Sequence, residues 1–449
     1  MIKKLSVTNF KSVAHAEIDV RPLTLLVGPN SAGKSSLIQP LLLLRQTIDA
    51  RDVTNPLALH GDYIDFGNYR DFVFGHDPKK RLRFQIVFDT PQPTPWVLAR
   101  SEPLSVSFSV EFAYIVKSRR VVVNNIAFSA AKAEMDFTVT RQPLDKYSAA
   151  YRHDGESTSL QVDSIRKFYG PNVSPVTPAD LKASKLTTKQ LRKEFEKSYG
   201  AQLRVGSLVG SVERLFNRVF YIGPLREWPK RSYVARGETP QDVGLKGERA
   251  VDVLLSQTRK KATRQKILPR IDEWLKRFGV ASQIKLEPLG SNNYEIRLVE
   301  AQNRLPVNLA DTGFGISQVL PVIIEGFYAP IGSVLLIEQP EIHLHPKAQA
   351  TLADLLIDIV QQQRQTLLVE THSEHLIMRL QRRIAEEQIK VDDVALYYCE
   401  PSPAGTTVRR INFDANGQFV EEGLPEGFFE EDYKESLEHM KAIAKRKAS

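Results

Sequence analysis

Apolar and polar residues alternate over Ile2–Val7 and again over Ala16–Val20, with a polar turn between them. A period of two predicts half-buried strands. The next run, Leu23-Thr24-Leu25-Leu26-Val27, is apolar without alternation, which predicts a strand covered on both faces. From about 82 to 162 the pattern returns to period two in "RLRFQIVFD", "LSVSFSVEFAYIV", "RRVVVNNIAFSA", "EMDFTVTR" and "SLQVDSI", all rich in β-branched or aromatic residues. These predict an antiparallel β-rich lobe.

Helical text follows at 177–200, where Thr177-Pro178-Ala179-Asp180 offers a start, and again over 247–278. Neither stretch carries long apolar heptads, which argues against a long coiled-coil arm. The C-terminal third reads as α/β, with "SVLLIEQPE" and "TLLVETHS" as buried strands flanking the helical "KAQATLADLLIDIVQQQ". Residues 421–449 read as an amphipathic tail, acidic from Glu421 to Glu438 and basic from Lys441 to Lys447. No short internal repeat is present.

The 449 residues exceed what one core usually organises, so two or three lobes are expected. With 42% apolar and 25% charged residues, the chain is globular rather than collagenous, coiled-coil-dominated or disordered. Its 61 basic and 53 acidic residues leave a net charge of +8, which favours a polyanionic partner without identifying one. The single cysteine, Cys399, excludes an intrachain disulfide and a cysteine-based zinc cluster, and suits a reducing cytoplasm. No export signal is visible, and Leu41-Leu42-Leu43-Leu44 is too brief to span a bilayer. A soluble cytoplasmic chain with no membrane partner is expected.

Gly28-Pro29-Asn30-Ser31-Ala32-Gly33-Lys34-Ser35 matches G-x-x-x-x-G-K-[ST] in full, after a buried strand and before a helical run. Backbone N–H groups of such a loop cradle phosphates, lysine balances their charge and the hydroxyl ligates Mg²⁺. Asn30, Ser31, Ala32, Gly33, Lys34, Ser35 and Ser36 are therefore the candidate nucleotide-binding residues. Glu338 ends the strand 333–338 and is the candidate Mg²⁺ carboxylate beside Ser35. A second strand ends at Glu370 and is followed by Thr371-His372-Ser373, which places His372 where α/β proteins bind ligands, as a γ-phosphate sensor. His343-x-His345 has the spacing of a metal pair, but no third ligand stands nearby and the segment reads as a shaped turn. Asp311-Thr312-Gly313-Phe314-Gly315-Ile316-Ser317-Gln318 sets glycines and a serine before a helix, either as an anion-facing start or as a plain turn. Pro40 falls a few residues into the helix after the loop and has no functional account.

These four elements, in this order, resemble the ABC-type ATPase heads of the SMC and RecF-like superfamily, most specifically over about 1–75 and 305–380. More narrowly, "YIGPLREWPKRSY", "VGLKGE", "IEQPEIHLHPKAQ", "ETHSEHLI" and "PEGFFEEDY" resemble a group of prokaryotic AAA-type SMC-like ATPases linked to mobile-element defence. That group is related to the overcoming-lysogenization-defect ATPase head, here without its Toprim nuclease; about 75 residues follow Ser373 and show no second carboxylate metal site. The resemblance implies an α/β P-loop ABC-type head with an antiparallel β lobe, an inserted mixed β/helical region and no long coiled coil. Its segments are expected at 1–80 (N-terminal half with Walker A), 81–215 (inserted lobe) and 216–300 (helical, basic connecting lobe), then at 301–400 (C-terminal half with signature, Walker B and switch histidine) and 401–449 (tail).

It also implies ATP and Mg²⁺ as cofactors and a homodimer of ATP-bridged heads, in which Gly313, Gly315, Ser317 and Gln318 serve the partner's ATP. An effector protein, DNA or RNA is the further partner such heads gate. This chain departs from the family at Glu338-Gln339, where typical heads have Asp-Glu. Glutamine cannot take a proton as the catalytic glutamate does, so hydrolysis is expected to be slow, or the chain is a scaffold that hardly hydrolyses. Glu370 is the first replacement for the missing base, and Glu341 the second. Basic clusters at Lys117-Ser118-Arg119-Arg120, at Arg226 with Lys230-Arg231, and at Arg259-Lys260-Lys261 to Lys266 read either as phosphate contacts or as solvated faces. Arg226 alternatively serves the nucleotide or the head interface.

Overall fold

The fold is that of a computed structural model, which describes residues 1–90, 103–174, 187–259, 261–300 and 302–420. From the N-terminus, β1 (Ile2–Phe10), β2 (Val13–Asp19) and β3 (Leu23–Val27) lead into α1 (Ser35–Asp49), and α2 (Tyr69–Phe72) is a single turn. Seven strands follow: β4 (Leu82–Asp89), β5 (Ser105–Ile115), β6 (Arg120–Ala130), β7 (Met135–Arg141), β8 (Tyr147–His153), β9 (Glu156–Arg166) and β10 (Gly170–Ser174). Then come α3 (Thr188–Phe216), β11 (Val219–Ile222), β12 (Tyr233–Val234), α4 (Ala250–Arg259), α5 (Lys261–Arg277), β13 (Ala281–Pro288), β14 (Asn293–Glu300) and β15 (Pro306–Asn308). The chain continues through α6 (Phe314–Tyr328), β16 (Val334–Glu338), α7 (Pro346–Gln363), β17 (Thr366–Glu370), α8 (Glu374–Ala385), β18 (Val394–Ser402) and β19 (Gly405–Ile411).

Three sheets result. A nine-stranded antiparallel sheet runs β10-β9-β8-β7-β6-β5-β4-β1-β2, so strands on either side of position 80 pair directly, β1 with β4. The period-two text explains it: Leu82, Phe84, Ile86 and Phe88 turn inward on β4, as do Val106, Phe108, Val110 and Phe112 on β5. A six-stranded sheet runs β11-β16-β17-β3-β18-β19, parallel except at its β19 edge. A small antiparallel sheet of β12, β14 and β13, with β15 on β14, completes the set.

The six-stranded sheet lies between two cores, which is why β3, β16 and β17 are buried along their whole length. One face gives Leu26, Leu336 and Leu368 to a core shared with α1, α3 and the nine-stranded sheet. The other gives Leu25, Ile337 and Leu367 to a core with α4, α5, α6, α7 and α8. Thus α1 sits under the parallel sheet with its P-loop end at the carboxyl ends of the strands.

The fold is α/β with a large antiparallel sheet and, among the described residues, no coiled coil. The helix expected to begin near Thr177 has that start outside the described residues. It is seen from Thr188, with Thr187 and Gln190 forming a capping box, and it runs on to Phe216. Its buried stripe, Ala201, Val205, Leu208, Val212 and Leu215, keeps helical spacing but is interrupted by glycines and serines, which hid its extent in the sequence. The 421–449 tail and Lys260 also lie outside the described residues. Among those described, no helix is long and apolar enough to cross a membrane.

Candidate functional site

The loop after β3 needs its glycines. Gly28 has φ +136°, and a Cβ there would lie 2.0 Å from the Cys399 carbonyl oxygen on β18. Gly33 has φ +87°, and its Cβ would meet Thr406 Oγ1 at 2.2 Å and Ser12 Oγ at 2.7 Å. Asn30 and Ser31 are exposed at the loop tip, while Ala32 and Ser36 turn into the core. Lys34 folds back over the loop, its Nζ donating to the carbonyls of Gly28 at 3.0 Å and Pro29 at 2.8 Å. Burial lowers its pKa, with the nearby Glu370 opposing.

Strand register brings the carboxylates to this loop. Glu370 stands opposite Leu26 on β3 and opposite Glu338 on β16, so three strand ends align. Ser35 Oγ donates to Glu370 Oε2 at 2.7 Å. Glu338 Oε1 instead accepts from the Tyr221 hydroxyl on β11 at 3.1 Å. Burial first, and then the neighbouring Glu370, push the Glu338 pKa up to about 7. Burial raises Glu370 as well, with Ser35 and Lys34 pulling the other way. Tyr221 is held protonated by burial and by the adjacent Glu338 charge.

Gln339 begins the turn after β16 with a left-handed backbone, φ +46°. Its N–H donates to the Glu370 carbonyl at 2.7 Å, and its own carbonyl accepts from Arg226 Nη1 at 2.9 Å. Glu341 is buried two residues on, its pKa raised by that burial, and its Oε1 accepts the His372 N–H at 2.6 Å. His372 lies at the surface with its ring partly covered, and that covering first and then Lys34 lower its pKa, which favours neutral imidazole. Lys34, Ser35, Glu338, Gln339, Glu370 and His372 therefore share one site at the ends of β3, β16 and β17.

The 313–318 segment is placed elsewhere. Gly313 is exposed at the N-terminus of α6, and Phe314 packs against Trp228 at 4.3 Å and His343 at 4.8 Å between ring centroids. A Cβ on Gly315 would come 2.7 Å from the His343 carbonyl oxygen, so the segment abuts the turn after β16. Ser317 and Gln318 are buried within α6, where Ser317 Oγ donates to the Phe314 carbonyl at 2.7 Å and Gln318 lies against Ser317. Of the two histidines with metal-pair spacing, His345 caps α7 and His343 packs on Phe314. Among the described residues no group of three or more His, Cys, Asp or Glu is arranged to hold a metal ion.

A family model for the AAA ATPase domain matches residues 1–158 and 249–377. The chain belongs to that family. The AAA ATPase match encloses the P-loop, Gly313–Gln318, Glu338 and His372, and it reaches through β4–β8, further than the motifs alone extended the resemblance. The chain is also similar to the OLD nuclease of Thermus scotoductus, 22% identical over 437 residues, which is 93% of this chain and 68% of that protein. Among solved structures, an SMC head bound to the C-winged helix domain of ScpA gives a TM-score of 0.48 at 12% identity, covering 92% of this chain and 98% of that one. A Pyrococcus furiosus Smc head domain with an extended coiled coil, bound to the C-terminal domain of ScpA, gives 0.45 at 13% identity, covering 92% and 96%. The SMC head domain from Thermotoga maritima gives 0.39 at 11% identity, covering 92% and 99%.

Tyr221 is the site residue that the sequence reading does not name; Arg226 is named there without an assigned role, and the Ser35–Glu370 contact is not foreseen. The bond from Ser35 to Glu370 joins residues 335 apart in sequence and follows only from strand order. Tyr221 and Arg226 both lie in "YIGPLRE", a stretch whose resemblance was visible but whose contacts were not.

Proposed function

We propose that this AAA ATPase binds ATP with Mg²⁺ at the P-loop and hydrolyses it slowly. ATP bridges two heads in a head-to-tail dimer that gates a nucleic-acid or effector partner. The observation that carries this is the convergence of Lys34, Ser35, Glu370 and Glu338 at the carboxyl ends of adjacent parallel strands. Lys34 exchanges its two carbonyl partners for β- and γ-phosphate oxygens. The Ser35 hydroxyl and the Glu370 carboxylate are hard oxygen donors suited to Mg²⁺, which would neutralise phosphate charge and fill its shell with phosphate oxygens and water.

The hydrogen bonding supports exchanging two roles that the motifs suggest. Glu370 touches the hydroxyl that faces the metal, so it serves the Mg²⁺ side. Glu338 lies one strand further out, is anchored by Tyr221 through one oxygen and is poised near neutral pH, so it is the better acceptor for a proton from attacking water. Because Gln339 cannot take the proton, its removal falls to Glu338 from one position earlier on the chain, and slow turnover with a long-lived ATP-bound dimer is the expected consequence. Gly313 is exposed while Ser317 and Gln318 point inward, so the surface offered to a second copy narrows to the very start of α6. A role in antiviral defence or DNA maintenance, in the cytoplasm, rests on the resemblance read from the sequence.

Steady-state turnover of the purified protein with ATP and Mg²⁺, with and without DNA, tests this reading. Measurable hydrolysis that Lys34→Ala abolishes is expected. Absence of both binding and turnover would sink it, binding without partner-stimulated turnover would favour the scaffold, and Mg²⁺-dependent cleavage of plasmid DNA would assign a nuclease instead.

A further inference from the structure

Arg226 is 5% exposed; among the described residues no carboxylate forms a salt bridge with its guanidinium, although the nearby Glu341 and Glu338 favour its charge. Removing a cation from water is unfavourable, so such a group persists where nearby opposite charge and hydrogen bonds replace the water. Here the two terminal nitrogens reach three backbone carbonyls, while the buried Nε has no partner. Nη2 donates to Glu338 O at 2.9 Å, and Nη1 donates to Gln339 O at 2.9 Å and to Pro224 O at 3.2 Å. A planar fork suits consecutive carbonyls in a way that a lysine ammonium does not.

The gripped turn needs holding. Gln339 is a non-glycine residue in the left-handed region, a conformation that persists when its surroundings over-determine it. Its N–H is fixed by the Glu370 carbonyl on one side, and its carbonyl is fixed by Arg226 on the other. Glu338, the carboxylate at the end of β16, is the adjacent residue, so the turn sets where that carboxyl stands.

The loop that carries Arg226 is anchored in turn. The N–H of Gly223 donates to Leu245 O at 2.9 Å and that of Glu227 to Lys246 O at 2.8 Å. Two residues beyond Arg226, Trp228 is 73% exposed and packs with tilted rings against Phe314 at the start of α6, and Phe314 meets His343 of the gripped turn. The loop 223–231 thus bonds the turn after β16 at one point and touches the 313–318 segment at another.

We propose that Arg226 is a positioning residue for hydrolysis. It acts through the backbone of Glu338 and Gln339, and its loop makes the setting of that turn felt at the start of α6. The inference rests on the reading of this pocket as an ATP site, but the grip itself is independent of nucleotide.

The test uses full-length Arg226→Lys and Arg226→Gln proteins and two readouts. Backbone amide exchange, followed by mass spectrometry without nucleotide, is expected to accelerate about tenfold in a peptide spanning 336–344 while the P-loop peptide is unchanged. In steady-state assays kcat is expected to fall roughly 10- to 100-fold, the size of effect that a small misplacement of a reacting group produces, with KM for ATP within about threefold of wild type. Adding Gln339→Gly to Arg226→Lys is expected to recover part of the exchange protection, because glycine enters the left-handed region freely. Unchanged exchange over 336–344 in a folded variant overturns the proposal. So does a raised KM at constant kcat, which would make Arg226 a binding group. Wild-type protein that turned over no ATP would defeat the ATPase reading, while amide exchange would still decide whether Arg226 holds the turn.

Discussion

Glu338 and Glu370 face each other in register on adjacent strands, yet they have different partners: a tyrosine hydroxyl for one and the P-loop serine for the other. That difference predicts separable defects. Glu370→Gln should raise the Mg²⁺ concentration needed for half-maximal turnover. Glu338→Gln should lower kcat by about 10²-fold or more with ATP affinity little changed, the usual size of a lost general base. Titrating Mg²⁺ and ATP against both variants checks this, and the reverse pattern would restore the roles that the motifs suggest. At this scale the sequence is legible where chemistry is local. Gly28–Ser36 is one contiguous loop whose spacing states its purpose, whereas the Ser35–Glu370 bond and the Arg226 grip depend on which strand lies beside which.

Among the elements, α6 carries a group with no evident part in catalysis. Glu325 is buried, its Oε2 accepts the Val243 N–H at 2.8 Å, and burial pushes its pKa up to about 8. The unfolded chain ionises this carboxyl near its ordinary value, so between about 4.5 and 8 the folded protein holds one more proton. Stability must therefore fall as pH rises through that window, by up to about 1.4 kcal/mol per pH unit for one proton. Glu325→Gln, which keeps the acceptor and removes the titration, should melt with a flatter dependence between pH 6 and 8. Parallel melting curves for the two proteins would contradict this.

The strands were legible because alternation reports one covered face and continuous apolarity reports two. The full span of α3 was not, since glycines at 200, 206 and 210 break its pattern while packing against β9, β10 and α1 stabilises it. Within α1, Pro40 is buried and the helix runs on through it; nothing in the structure explains the choice of proline there.

Across the whole molecule, the net charge of +8 is less concentrated than its sequence clusters suggest. Arg120 pairs with Asp145, Lys230 with Glu227 and Arg231 with Asp311, and Arg226 is spent on backbone carbonyls. Lys117 and Arg119 remain exposed at the β5–β6 turn. Charge alone therefore argues weakly for nucleic acid, and the proposed dimer rests on the family resemblance, which assigns the start of α6 to a partner's ATP. In the proposed dimer, a second copy presents the start of α6 across the nucleotide. Sedimentation velocity of the full chain, with and without ATP and Mg²⁺, tests this most directly. The account predicts conversion from the 50.7 kDa chain to twice that mass only with nucleotide, and no conversion for Lys34→Ala. A single-chain mass at saturating ATP, or a dimer indifferent to nucleotide, would contradict it.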